Sequence, residues 1–169
     1  MKKIIAVLCF SGVGLINHAA ANCLITNAIY SYDSNPSVTA RFQPLNHKSL
    51  TDVYFTITSS TGQNLWFTFD WGNGFSQERL VSSKTNPADD NWKPQDPDSD
   101  KDRLFSDLDF FAFNKDLSVS SGKIKSGENA PEYLFVPSLA PTLWYLKNDA
   151  VFSDYQLARA MFKLDKCMP

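Results

Sequence analysis

Val53-Tyr54-Phe55-Thr56-Ile57-Thr58, then Thr61-Gly62-Gln63-Asn64, then Leu65-Trp66-Phe67-Thr68-Phe69-Asp70-Trp71 is the stretch that decides the fold class. In its first part Val53, Phe55 and Ile57 alternate with Tyr54, Thr56 and Thr58. In its last part Leu65, Phe67, Phe69 and Trp71 alternate with Trp66, Thr68 and Asp70. A period of two puts alternate side chains on opposite faces of a strand, and β-branched and aromatic residues suit that pleated surface. The Gly-containing break between the runs is a turn signal, so the pair predicts an antiparallel hairpin.

The same signals extend outward from this hairpin. Gly72-Asn73-Gly74 predicts a second turn, with Gln77 to Ser82 as the next strand of a meander. Short runs rich in β-branched, aromatic and leucine residues recur at 23–32, 37–44, 109–118, 132–137 and 143–148, separated by Pro, Gly, Asn or Ser. Pro131, Pro137 and Pro141 mark the later runs as short or edge strands. Near the end, Ser153 and Gln156 have the spacing of a capping box, with Leu157, Ala160, Met161 and Leu164 on one helical face. The expected fold is therefore mainly β, an antiparallel sandwich or open barrel with a short C-terminal helix.

The N-terminus reads as a targeting segment. Met1-Lys2-Lys3 supplies positive charge, Ile4 to Ile16 is apolar, and Ala19-Ala20-Ala21 offers the small residues of a cleavage site. The apolar run is shorter than the ~20 residues a transmembrane helix requires, and no later run is long enough. The expectation is a secretory signal over 1–21, one mainly-β domain over 22–169, and a periplasmic or secreted location. Cleavage would also remove Cys9, leaving Cys23 and Cys167. Two cysteines in an oxidising compartment predict a disulfide between the ends of the mature chain, which would exclude cysteine catalysis.

Chemical motifs are sparse. His47 is the only histidine beyond the signal, so one mature chain cannot build a histidine cluster for a metal. The sequence contains no G-x-S-x-G elbow, no phosphate-cradling glycine loop and no H-E-x-x-H pair. His47 beside Lys48 in a polar stretch reads as a loop residue rather than the centre of a Ser-His-Asp triad. Enzymatic activity is disfavoured on this reading, though paired carboxylates would suit glycoside hydrolysis.

Charge placement says more than total charge. Beyond residue 21 there are 14 Lys and Arg against 18 Asp and Glu, a net of −4. Residues 86–109 alone hold eight Asp against Lys93, Lys101 and Arg103, a net of −5. With no basic block to neutralise phosphates, nucleic acid is not an expected partner. Within this segment, residues 98–109 resemble an EF-hand calcium loop. Asp98, Asp100 and Asp102 fall at its positions one, three and five, with Leu104, Ser106 and Asp109 at seven, nine and twelve. Arg103 replaces the turn glycine, Asp109 is shorter than the usual Glu, and Pro94 and Pro97 oppose an entering helix. Calcium is thus a candidate ligand with an incomplete motif, and no cofactor is required by the sequence.

Trp92 stands in the polar run Asn86-Pro87-Ala88-Asp89-Asp90-Asn91-Trp92-Lys93-Pro94. It reads either as an exposed binding anchor or as a loop ring folded back over the sheet. Trp66, Trp71 and Trp144 lie in strand-like runs and are expected in or beside the core. These features point to an exported binding protein, of the inhibitor or immunity type, that meets a cationic envelope enzyme or toxin. Asp89, Asp90 and Trp92 are its candidate contact residues. Two other classes stay open: a small secreted carbohydrate-active enzyme using carboxylates, and a calcium-stabilised structural domain.

Overall fold

The computed structural model describes residues 23–47, 49–71, 78–94, 96, 101–120 and 124–169. Among these, the chain forms β1 (Ala28–Tyr32), β2 (Asn35–Pro44), β3 (Val53–Thr58), β4 (Asn64–Trp71) and β5 (Glu78–Ser83). It continues with β6 (Leu108–Asp109), β7 (Phe111–Phe113), β8 (Tyr133–Phe135), α1 (Leu139–Leu146) and β9 (Phe162–Cys167). The nine strands make one sheet in the order β6-β5-β4-β3-β2-β1-β9-β8-β7, antiparallel throughout. The expected hairpin is β3–β4, with Phe55 opposite Phe67 and Ile57 opposite Leu65.

The two strands at the ends of this order, β6 and β7, are separated in the chain by Phe110 alone. The sheet must therefore curl until its edges meet, giving a nearly closed barrel. One stretch of chain pairs with β5 through Leu108 and Asp109 and with β8 through residues 111–113. Phe110 sits at this seam, 2% exposed, and its ring meets Phe69 at 5.4 Å, Phe55 at 5.9 Å and Phe42 at 6.3 Å. Phe55 also meets Phe42 at 5.0 Å and Phe162 at 6.1 Å, so aromatic rings from four strands and the seam fill the interior. Each buried ring of this kind contributes about 1.5–3 kcal/mol by removal from water, and edge-on contacts add to that.

Strand directions define two ends. The upper end carries the β3–β4 turn, the long β5–β6 segment (84–107) and the chain from Val136 to Met161, including α1. The lower end carries the β2–β3 loop (45–52), the turn after β7 and both ends of the described chain. There Cys23 and Cys167 form the expected disulfide, with Cα atoms 5.6 Å apart. It closes a loop of 144 residues, for which the chain-entropy model gives about 5 kcal/mol. Among the described residues no helix is long and apolar enough to cross a membrane.

Two sequence readings are corrected. The run 143–148 is not a strand: it belongs largely to α1, whose Leu139, Ala140 and Leu143 are buried on one face. Pro141, read as a strand breaker, occupies the first helical turn, where its missing N–H has no helical acceptor to lose. Conversely, the helix expected over 153–164 is absent. Ser153 donates its hydroxyl to the Ala150 carbonyl at 3.1 Å instead of capping a helix, and the chain becomes β9 from Phe162. Phe162 faces the core and Lys163 faces solvent, an alternation hidden when the window begins at Tyr155. Pairing with β1 on one side and β8 on the other outweighs the weak helical pattern. The turn at Gly72-Asn73-Gly74 lies outside the described residues.

Candidate partner-binding site

The acidic β5–β6 segment is bolted to the barrel at three points. The first is a hydrophobic clamp on the outer face of β3–β5. Register places Thr56, Trp66 and Ser83 in one outward row and Tyr54, Thr68 and Val81 in the next. Outward residues of a half-exposed sheet are normally wet, yet Tyr54, Thr56, Thr68, Val81 and Ser83 are all buried. What covers this face includes Trp92, 6% exposed, which packs with Leu45, Tyr54 and Trp66 in a second core outside the barrel. Its indole Nε1 donates to Ser83 Oγ at 3.1 Å, so the ring's polar edge is satisfied as well as its faces.

The second point is His47. Its Nε2 lies 3.1 Å from the Asp89 carbonyl, and its ring lies 5.5 Å from that of Trp92. The same carbonyl accepts the Trp92 amide at 2.9 Å, while the Asp89 amide donates to Asn86 at 3.0 Å. Consecutive tight turns thus carry the chain over the sheet and leave the Asp89 and Asp90 side chains exposed. Tyr54 registers the arrangement electrostatically: burial and then the nearby Asp89 charge push its phenol above its ordinary value.

The third point is Ser82, which faces inward between the ends of the segment. Its hydroxyl donates to the Phe105 carbonyl at 3.0 Å and accepts the amides of Leu104 at 3.0 Å and Phe105 at 3.2 Å. Phe105 then packs against Phe67 and Phe152, and Lys84 meets the returning chain through its amide on the Asp102 carbonyl at 3.2 Å. One hydroxyl therefore organises the return of a segment of more than twenty residues.

The residues singled out from sequence separate into groups. Asp89 and Asp90 lie together on the exposed crest of the clamped turns. Trp92 is corrected as an exposed anchor: it is the ring folded back over the sheet, because Tyr54 and Trp66 offer it an apolar bed. Trp144, expected in or beside the core, is instead 55% exposed on α1, next to Tyr145 at 84%. The sequence did carry a signal for the clamp, namely two large aromatics, Tyr54 and Trp66, at outward positions of neighbouring strands.

The calcium set is not gathered by its described members. Asp98 and Asp100 lie outside the described residues. Asp102 and Ser106 are exposed, Leu104 is held by Ser82, and Asp109 belongs to β6 opposite Arg79. Arg103, at the turn position that calls for glycine, pairs with Asp107 at 3.0 Å. The segment joins two strands and not two helices. Among the described residues no group of three or more His, Cys, Asp or Glu is placed to hold a metal ion.

A cleft of about 270 Å³ opens at the lower end, lined by His47, Thr51, Asp52 and Lys125 among others. Asp52 accepts the Ser126 amide at 3.0 Å and the Ser126 hydroxyl at 2.5 Å, one on each carboxylate oxygen. The hydroxyl bond leads in holding this carboxyl below its usual range. Asp52 is thus committed to Ser126 and His47 Nε2 to a backbone carbonyl, and the two side chains are not bonded to each other in this cleft.

No protein-family model, curated protein or solved structure matches this chain.

Proposed function

We propose that this is an exported binding protein of the inhibitor or immunity type. It engages a cationic protein, such as a cell-wall hydrolase or an exported toxin, through the acidic loop 86–102. The observation that carries the reading is the burial of Trp92 beneath that segment. A solvated acidic loop would need no such clamp, whereas a recognition loop gains from being ordered before it binds, because less entropy is lost on association. The exposed Asp89 and Asp90 then act from fixed positions, and their field speeds the approach of a positively charged partner. The signal-like N-terminus and the terminal disulfide support export into an oxidising compartment.

The test is affinity capture from an envelope extract at low and moderate salt, followed by kinetics with the purified partner. Replacing Asp89 and Asp90 with Asn should slow association several-fold and change dissociation little, with the difference shrinking as salt is added. Unchanged association at low salt would remove the acidic segment from the interface.

A further inference from the structure

The upper end of the barrel carries a second feature that the acidic segment does not explain. α1 buries Leu139, Ala140 and Leu143 beneath it and turns Trp144 and Tyr145 outward, 55% and 84% exposed. A Trp and a Tyr side by side on the outside of a short helix add nothing to the core. The Trp144 ring is nonetheless in use: the Lys147 ammonium sits 3.6 Å from its centroid. That is the position in which a cation is attracted by the ring quadrupole. The face of Trp144 thus already holds a cation, supplied by this chain.

We infer that Trp144 and Tyr145 form a receptor for an arginine side chain of the cationic partner, with Lys147 as an internal stand-in that the guanidinium displaces. The inference rests on the proposed function and names the anchor of that same interface. Charge complementarity supports it, because the exposed Asp149 follows α1 and the exposed Asp102, where the acidic segment returns to the end of β5, lies at the same end. The two regions are joined through the contact of Phe105 with Phe152, at 6.0 Å. Chemistry favours arginine over lysine as the incoming group. A guanidinium is planar and weakly hydrated and stacks on indole, whereas an ammonium gives up its water reluctantly. Trp and Tyr are also the residue types most enriched among binding hot spots, while Trp92, buried in the clamp, is not free to serve.

The experiment is a titration of the full-length mature protein with a tetra-arginine peptide at low salt, read by Trp fluorescence and calorimetry, with tetra-lysine for comparison. Circular dichroism first confirms that each variant is folded, which the exposure of the three side chains favours. Trp144→Ala should weaken tetra-arginine binding about fivefold, in the range of a cation–π contact. Lys147→Gln should strengthen it about threefold in the parent but not in the Trp144→Ala background, since the lysine competes only for that ring.

Equal strengthening in both backgrounds would mean that Lys147 acts only as a repelling charge, and the receptor is then wrong. Wild-type binding by Trp144→Ala would also overturn it, while weakening by Asp89→Asn with Asp90→Asn would leave the acidic-segment reading in place. If instead only the Trp144 change weakens binding, the receptor stands and the acidic-segment reading fails.

Discussion

Two tryptophans have exchanged the surroundings that their sequence neighbours suggest. Trp92 comes from a run of Asn, Asp, Pro and Lys and is buried in a satellite core with its Nε1 hydrogen-bonded. Trp144 comes from the apolar run Leu143-Trp144-Tyr145-Leu146 and is more than half exposed. Neighbouring composition reports what a segment is made of; burial depends on what the opposing surface offers. Tyr54 and Trp66 project outward from β3 and β4 and would be wet without a cover, and Trp92 supplies part of it. α1 needs only one buried face, already filled by Leu139, Ala140 and Leu143, so Trp144 is left over.

The sharpest way to break this contrast is to truncate both rings. Trp92→Ala should cost about 3–5 kcal/mol in a denaturant titration, the usual range for deleting a buried aromatic. Trp144→Ala should cost no more than about 1 kcal/mol, the worth of a solvent-exposed cation–π contact. Similar losses from the two changes would contradict the assignment of one ring to structure and the other to the surface.

Ser82→Ala sharpens the picture at the other anchor of the acidic segment. It removes one donor and leaves the Leu104 and Phe105 amides without their hydroxyl acceptor, so a loss of about 1–3 kcal/mol is expected. Limited proteolysis should show new cleavage between residues 84 and 107 while the barrel strands stay resistant. Cleavage unchanged from the parent would mean that the clamp at Trp92 holds the segment unaided.

The smallest effect belongs to a control outside the Trp92 cluster and outside α1. Glu78, at the lower rim, has a carboxyl raised above its ordinary value chiefly by burial, although the Trp71 indole and the Ile124 amide bond to it and pull the other way. A raised folded-state value means that the native protein holds this proton more tightly than the unfolded chain does. Stability from this group is therefore greatest at low pH and declines as pH rises from the ordinary carboxyl value through the raised one. Glu78→Gln should remove that decline and raise the unfolding midpoint slightly at neutral pH, leaving the Trp92 and Trp144 effects unaltered. A lower midpoint at neutral pH would show that the ionised carboxylate is favoured by its hydrogen bonds.

The contrast also explains which parts of the molecule were readable from sequence. The β3–β4 hairpin was, because Val53 to Ile57 and Leu65 to Trp71 alternate cleanly and face a single core. The terminal disulfide was, by elimination of Cys9. Closure of the barrel was not, since it depends on Phe110 splitting one stretch of chain between two partners, and no local pattern encodes which strands those are. The helix in place of a strand at 139–146 follows from proline, which suits a first helical turn as well as a strand edge, and the strand in place of a helix at 162–167 follows from pairing with β1 and β8, partners distant in the chain. In the candidate site, the acidic charge of Asp89 and Asp90 was plain. The burial of Trp92 depended on outward residues about thirty positions earlier in the chain, and the exposure of Trp144 on a helix that was read as a strand.

Hydrogen exchange at the Trp92 amide, resolved by NMR, tests the central claim most directly, because that amide is bonded to the Asp89 carbonyl only while the acidic turn is clamped. The account predicts protection well above that of an unstructured peptide in the parent. In Trp92→Ala the protection of residue 92 should be lost while amides of β3 and β4 remain protected. Exchange of this amide at the unstructured rate in the parent protein would contradict the account, since the segment would then be a free acidic loop with no fixed recognition surface.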